Sequence, residues 1–324
     1  MAPLLEVREL HLRFSLFEGL AHVLNGVNLT VERGERVAIV GESGCGKSVT
    51  LRIILGLLRS RNARVTGSVR FDGRELVGLS ERRWRELRGR QLSMVFQDPI
   101  AALNPVFTIE DQMSAVIRRA MKGASRAAVR SRAQDALLQV AVSDPDRVLA
   151  AYPFQLSGGL NQRVLIAMAL VNGPRLVLAD EPGTALDVTV QEQTLRLMRK
   201  LVESSGAAVL LITHNLGVVR EFAERVYVMY AGSIVEEASV QRLFEAPRHP
   251  YTQALLEAVP RLTGRGLPQG IEGAVPDYTA PPPGCRFHTR CQHARAECSE
   301  QPPSVETEPG HHVACVLYRE PAHG

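Results

Sequence analysis

Residues 36–58 read RVAIVGESGCGKSVTLRIILGLL, and the reading of this stretch decides the fold. Val37 to Val40 is a short apolar run of the kind that forms a buried strand. Gly41 to Gly46 is a turn, and from Val49 to Leu58 apolar residues recur at helical spacing. Inside this strand–turn–helix lies G-x-x-x-x-G-K-S, from Gly41 to Ser48, the pattern of a phosphate loop. Gly41, Gly44 and Gly46 admit backbone angles that let successive N–H groups converge on an anion. A helix beginning near Lys47 aims its positive dipole end at the same point. Lys47 is placed to reach the β- and γ-phosphates and the Ser48 hydroxyl to join a Mg²⁺ shell. Ser43, Cys45 and Val49 fill out the loop and the helix start, and complete the candidate contacts to a nucleoside triphosphate.

Working outward, Leu5, Val7, Leu10, Leu12 and Phe14 predict a strand over 4–14, and Val27, Leu29 and Val31 a second. Val65 to Phe71 predicts a third, closed by the Asp72-Gly73 turn. These make a small antiparallel layer. Phe14 is either a base-stacking aromatic or a core residue. Downstream, LSMVFQD (92–98) predicts a strand that delivers Gln97, and 109–141 is mostly helical. Leu156-Ser157-Gly158-Gly159 precedes an apolar helix from Val164 to Leu170, a second anion-binding turn that alone is indistinguishable from an ordinary loop. RLVLADE (175–181) predicts a buried strand ending in two carboxylates. Asp180 is suited to Mg²⁺, and Glu181 to polarising an attacking water. A short turn carries Ala185, Leu186 and Asp187, and a last core strand, Ala207 to Thr213, delivers His214. Polar groups at one edge of a parallel sheet are where such folds bind ligands.

VYVMYAGSIV (226–235) predicts a hairpin about Ala231-Gly232, followed by helices near Val240–Phe244 and Gln253–Val259, with Pro247 to Thr252 between them. Residues 260–284 are dense in Pro and Gly and predict an extended linker. Cys285, Cys291, Cys298 and Cys315 crowd the tail, spaced C-x5-C-x6-C-x16-C. That spacing matches neither the short zinc patterns nor the common ferredoxin run. Free thiols and a metal centre both stay open, with His288, His293, His311 and His312 as substitute ligands.

The 324 residues suit one large domain or two, and 45% hydrophobic with 22% charged is ordinary for a globular chain. The net charge of +4 is too small to argue for nucleic acid. The basic stretch ERRWRELRGR (81–90) reads as a solvated helix face. No apolar stretch approaches the roughly 20 residues that span a bilayer. MAPLLEVREL lacks the apolar core of a signal peptide, so the expected location is the cytoplasm. No internal repeat is present.

Gly41–Ser48, Gln97, Leu156–Gly159, Leu176–Glu181, Ala185–Asp187 and His214 follow the order and spacing of an ABC-type ATPase subunit, which the chain resembles over residues 1 to about 260. VFQDP with ALNP, AYPFQLSGG, HPYTQALL and the four-cysteine tail make the whole chain similar to the ATP-binding subunit of the oligopeptide/dipeptide/nickel importer family. The resemblance implies an α/β fold: an ABC-type P-loop NTPase core with an antiparallel β subdomain and a helical subdomain inserted at about 99–170. It implies a nucleotide-binding domain over 1–260, a linker over 261–284 and a small Cys-rich tail over 285–324. It assigns the phosphates of ATP to Lys47 and the loop glycines, and the Mg²⁺ site to Ser48, Gln97 and Asp180. Gln97 would also sense the γ-phosphate, Glu181 would be the general base, and His214 the switch residue. Ser157, Gly158 and Gly159 would contact ATP on the opposite subunit, with Asp187 at that interface. For the four cysteines it favours a [4Fe-4S] iron–sulfur cluster over zinc.

The resemblance further implies a second ABC ATP-binding subunit, as a homologous heterodimer partner, two integral-membrane permeases and an external solute-binding protein. It places the chain at the cytoplasmic face of the cell membrane, without nucleic acid. ATP hydrolysis would drive peptide uptake; alternatives are nickel or another small solute, or a soluble ABC ATPase outside transport. Three departures stand out: Leu160-Asn161 after the Leu-Ser-Gly-Gly turn, Gly183 where the pattern has Thr, and the additional Phe17-Glu18-Gly19-Leu20.

Overall fold

The alternating N-terminal residues form two long strands, β1 (Leu5–Leu16) and β2 (Gly19–Val31), joined by a turn whose Phe17 is fully exposed. Leu5 and Val7 are buried on odd positions and Leu10 and Leu12 on even ones. A bulge between Arg8 and His11 resets the parity, so both pairs face the core. The computed structural model describes residues 2–183, 187–258 and 270–319. It divides into one unit of residues 1–30, 37–77 and 212–324, and another of 31–36 and 78–211.

In the first unit, β4 (Ala63–Phe71) and β5 (Arg74–Glu75) join β1 and β2 in an antiparallel sheet of order β2-β1-β4-β5. Asp72 and Gly73 take φ 52° and 76°, the paired left-handed values of a tight hairpin turn. Beside it, β3 (Arg36–Val40) runs parallel to β9 (Arg225–Tyr230), and β9 turns through Ala231-Gly232 into antiparallel β10 (Ser233–Ser239). The tail extends this sheet: β12 (His311–Val313) pairs with β10, and β11 (Val305–Glu308) with β12. Helices α1 (Lys47–Ile54), α9 (Leu216–Phe222), α10 (Val240–Glu245) and α11 (Pro250–Glu257) complete the unit.

The tail is therefore built onto the sheet. Phe287 packs among Tyr230 and Tyr251, its ring edge-on to Tyr230 at 5.1 Å, and Ile271, Val275 and Tyr278 cover the same cluster. Of the expected linker, residues 261–269 lie outside the described residues, and over 270–284 these three apolar side chains pack against the cluster. A buried carboxylate, Glu236, accepts from the N–H of Arg248 (2.8 Å) and of His249 (2.9 Å) and pairs with His311 Nε2 at 2.7 Å. One side chain thus ties together β10, the turn before α11, and β12.

The second unit holds β6 (Leu92–Val95) parallel to β7 (Leu176–Asp180), in the order β8-β7-β6 with β8 (Ala208–Ile212). Its helices are α2 (Glu81–Leu87), α3 (Pro99–Ala102), α4 (Ile109–Ala120), α5 (Arg126–Gln139), α6 (Pro145–Ala150), α7 (Gly158–Leu170) and α8 (Val188–Ser205). Thr108 and Asp111 close a capping box at the start of α4. Ile109, Met113 and Ile117 then bury one stripe of that helix, each contributing about 1.5–3 kcal/mol.

Candidate active site

In the first unit, β3 runs straight into the phosphate loop and the loop into α1. Gly41 sits at φ 150°, where a Cβ would lie 2.1 Å from the Met229 carbonyl oxygen of β9, so no side chain fits. Lys47 is buried, and its ammonium donates to the carbonyl oxygens of Gly41 and Glu42, both at 2.8 Å, with Cys45 Sγ at 3.6 Å. Burial raises the Cys45 thiol pKa, which leaves that side chain a small neutral filler beside the cation. Gly44, Gly46, Ser43, Ser48 and Val49 follow in the same loop and first helical turn. His214 follows β8 and is exposed. The preceding Thr213 N–H donates to Ile39 O of β3, and Asn215 caps α9 by accepting from Gly217 and Val218 N–H. Phe14 lies opposite Ala63 in the β1–β4 ladder, partly exposed.

In the second unit, β7 delivers Asp180 buried at its end and then Glu181, which takes φ 44°. A left-handed Glu is held against its preference, as residues at functional strand ends often are. Gln97 Nε2 donates to Glu181 Oε2 at 3.3 Å. The expected 92–98 strand stops at Val95, because Asp98 caps α3 through Ile100 and Ala101 N–H and Pro99 opens that helix. Gln97 is thereby left exposed on the connection. Gly183 sits at φ 92°, which a Thr would strain, so the departure from the family pattern matches the local backbone.

The helix expected from Val164 begins six residues earlier, at Gly158, since Ser157 is its N-cap and accepts from Leu160 N–H at 3.4 Å. Ser157 is exposed, and Gly158 and Gly159 form the first turn of α7. Asn161 is buried and donates to Pro153 O at 2.9 Å, which braces the approach to this turn from inside. Asp187 stands exposed at the N-cap position of α8; Ala185 and Leu186 lie outside the described residues.

Cys285, Cys291, Cys298 and Cys315 line one small cavity, together with His249 and Phe287. Backbone N–H groups of His293 and Arg295 point at the sulfurs of Cys291 and Cys298, both at 3.4 Å. Burial pushes the Cys285 thiol up to about 11, and also raises Cys291 and Cys315. His249 accepts the Tyr251 N–H on Nδ1 at 3.0 Å, which assigns the ring proton to Nε2. That Nε2 is buried with no hydrogen-bond partner, and burial holds the ring neutral with a pKa of about 3. Among the described residues, no group of three or more His, Cys, Asp or Glu is placed to hold a metal ion.

Three side chains beyond the sequence expectations touch the phosphate loop. Glu42 N–H donates to the Tyr251 hydroxyl at 2.8 Å, and the Tyr278 hydroxyl donates to Gly44 O at 2.9 Å. Arg290 grips the Glu42 carboxylate with two bonds, at 2.7 and 3.1 Å. The His-Pro-Tyr run was visible in the sequence, but nothing in it indicated contact with a loop about 200 residues away.

The match to known families has two parts. Residues 24–184 match the ABC transporter family, and residues 235–298 match the oligopeptide/dipeptide transporter C-terminal region. A probable peptide ABC transporter ATP-binding protein of Sinorhizobium fredii is 49% identical, over 96% of this chain and 94% of its own. A dipeptide transport ATP-binding protein of Bacillus subtilis, DppD, is 43% identical over 98% of this chain and 95% of its own. Among solved structures, the ATP-binding cassette MJ0796, a dimer in a post-hydrolysis state bound to ADP and Pi, superposes with a TM-score of 0.65. It is 32% identical and covers 73% of this chain and 98% of its own. The chain belongs to the ABC transporter family as an ATP-hydrolysing cassette subunit, in the branch that carries the oligopeptide/dipeptide transporter C-terminal region.

Proposed function

We propose that this chain powers an importer of di- and oligopeptides, supplying half of each of two ATP pockets shared with a second, homologous ATP-binding subunit. The observation that carries the reading is the joint match, on one chain, of the cassette and the peptide-transporter C-terminal region. The phosphate-loop N–H groups and Lys47 hold the triphosphate. Ser48, Gln97 and Asp180 would hold Mg²⁺, which when bound neutralises charge on the β- and γ-oxygens. Glu181 takes a proton from water as its oxygen bonds to the γ-phosphorus and the bond to the ADP oxygen breaks. His214 contacts the γ-phosphate, and Phe14 flanks the base. Ser157, Gly158 and Gly159 donate to ATP on the partner, with Asp187 beside them; this turn's exposure supports that role.

Each γ-phosphate then bridges two chains, and its loss lets them part. Closure moves the helical part, where Phe96, Ile100, Val106, Phe107, Tyr152 and Phe154 are exposed. We assign that apolar surface to the two membrane permeases, which receive solute from an external binding protein. Among the described residues no helix is long and apolar enough to cross a membrane. The similarity to peptide-transport ATP-binding proteins supports a place at the cytoplasmic face of the membrane, beside the permeases. In the reconstituted complex, di- or oligopeptide with its binding protein stimulates ATP hydrolysis. Stimulation by nickel alone would overturn the peptide assignment.

We propose the four cysteines as ligands of a [4Fe-4S] cluster, although among the described residues no three His, Cys, Asp or Glu are placed to hold a metal ion, so the thiols would have to turn toward one another to ligate it. Their shared cavity, the N–H groups aimed at two of the sulfurs, and the unpartnered His249 N–H support this donor set. Anaerobically purified chain is expected to contain iron and acid-labile sulfide in about equal amounts and to absorb visible light. A colourless chain with one equivalent of zinc would contradict it.

A further inference from the structure

Glu42 puts a carboxylate at the second position of a loop that must receive a highly anionic ligand. Left alone, it would repel the triphosphate. Arg290 lies against it, its side chain 4% exposed, with both terminal nitrogens on the two carboxylate oxygens. The same guanidinium donates from Nε to Glu272 O (2.8 Å), from one terminal nitrogen to Ile271 O (2.9 Å) and from the other to the Tyr230 hydroxyl (3.3 Å). Its orientation is thus fixed by the segment at 271–272 and by β9. Tyr278 of the same segment bonds Gly44 O, two residues further along the loop.

We infer that Arg290 is a positioning residue for ATP binding: from the C-terminal tail it neutralises Glu42 and holds that carboxylate away from the triphosphate. A bidentate Arg–carboxylate pair is short, directional and planar, so it fixes where the charge sits as well as offsetting it. Arg290 occupies the turn between Cys285 and Cys291, so the arrangement of the cysteine loop reaches the phosphate loop through one side chain. The inference rests on residues 41–48 being the ATP site.

The test is the Kd of the full-length chain for Mg-ATP, together with the ATP KM and kcat of the assembled transporter. Arg290→Met is expected to weaken ATP binding about tenfold (about 1.4 kcal/mol) and to raise KM accordingly, with kcat changed less than about twofold. Adding Glu42→Gln to Arg290→Met removes the uncompensated charge and restores affinity to within about threefold of the parent. A purely structural role predicts no such rescue, so a double variant as weak as Arg290→Met overturns the inference. Should Arg290→Met fold poorly, Arg290→Lys decides: it keeps the charge without the fork and should bind about threefold more weakly than the parent, with affinity restored on adding Glu42→Gln. A Lys variant that Glu42→Gln does not rescue overturns the inference. Normal binding by parent and Arg290→Met alike overturns the inference alone. A parent chain that fails to bind ATP overturns the reading of the loop itself.

Discussion

Glu181→Gln lowers ATP turnover of the assembled transporter by about 10³-fold and leaves ATP binding within about twofold of the parent. The substitution keeps the shape and the contact with Gln97 but removes the proton acceptor. In the structure Glu181 follows the buried Asp180 at the end of β7, held at φ 44° and bonded to Gln97 Nε2. The contact with Gln97 orients one carboxylate oxygen at the strand end. Turnover is measured as released phosphate from the complex with peptide and binding protein present, and binding by equilibrium titration. Normal turnover in the variant would remove Glu181 as the base. Because binding persists while hydrolysis stops, the variant is also expected to hold the two ATP-binding subunits together in ATP.

The parts of this molecule that were legible in the sequence are those where a local rule acts alone. Gly41 to Ser48 is a strand–turn–helix whose residue types are set by backbone geometry, and it reads the same in isolation as in the fold. Asp72-Gly73 makes the turn that its residues favour, and Ala231-Gly232 makes one as well, although Ala231 takes φ 43° against the preference of an alanine. Helix starts were less legible. Apolar periodicity marks where a helix faces a core, so the helix after Ser157 was expected only from Val164, and α11 only from Gln253. Capping by Ser157 and His249 extends each toward its N-terminus.

The linkage of tail to phosphate loop was not legible at all. Arg290 and Glu42 are separated by 248 residues, and each alone reads as an ordinary surface charge. Glu236 is similar: buried, and paired with His311 75 residues away. Only the pairing of β12 with β10 brings such groups together. The bulge at Arg8–His11 lies between these cases, since the parity change from Val7 to Leu10 is visible in the sequence once a bulge is allowed.

Gly158→Asp is the second large effect. An acid at the first position of α7 suits the helix dipole, so the chain itself should fold and bind ATP on its own phosphate loop as the parent does. Placed against a partner's γ-phosphate, the same carboxylate costs several kcal/mol, and turnover of the assembled transporter falls by about 10²-fold. This separation of intact binding from lost turnover is what a pocket divided between two chains requires.

Vanadate trapped with ADP stands where the γ-phosphate was, and ultraviolet light then cuts the backbone beside it. In the closed transporter, cleavage is expected at two places, within residues 41–48 and at Ser157–Gly159, with the second cut absent from the Gly158→Asp variant. Cleavage confined to the phosphate loop in the closed parent assembly would contradict the shared pocket.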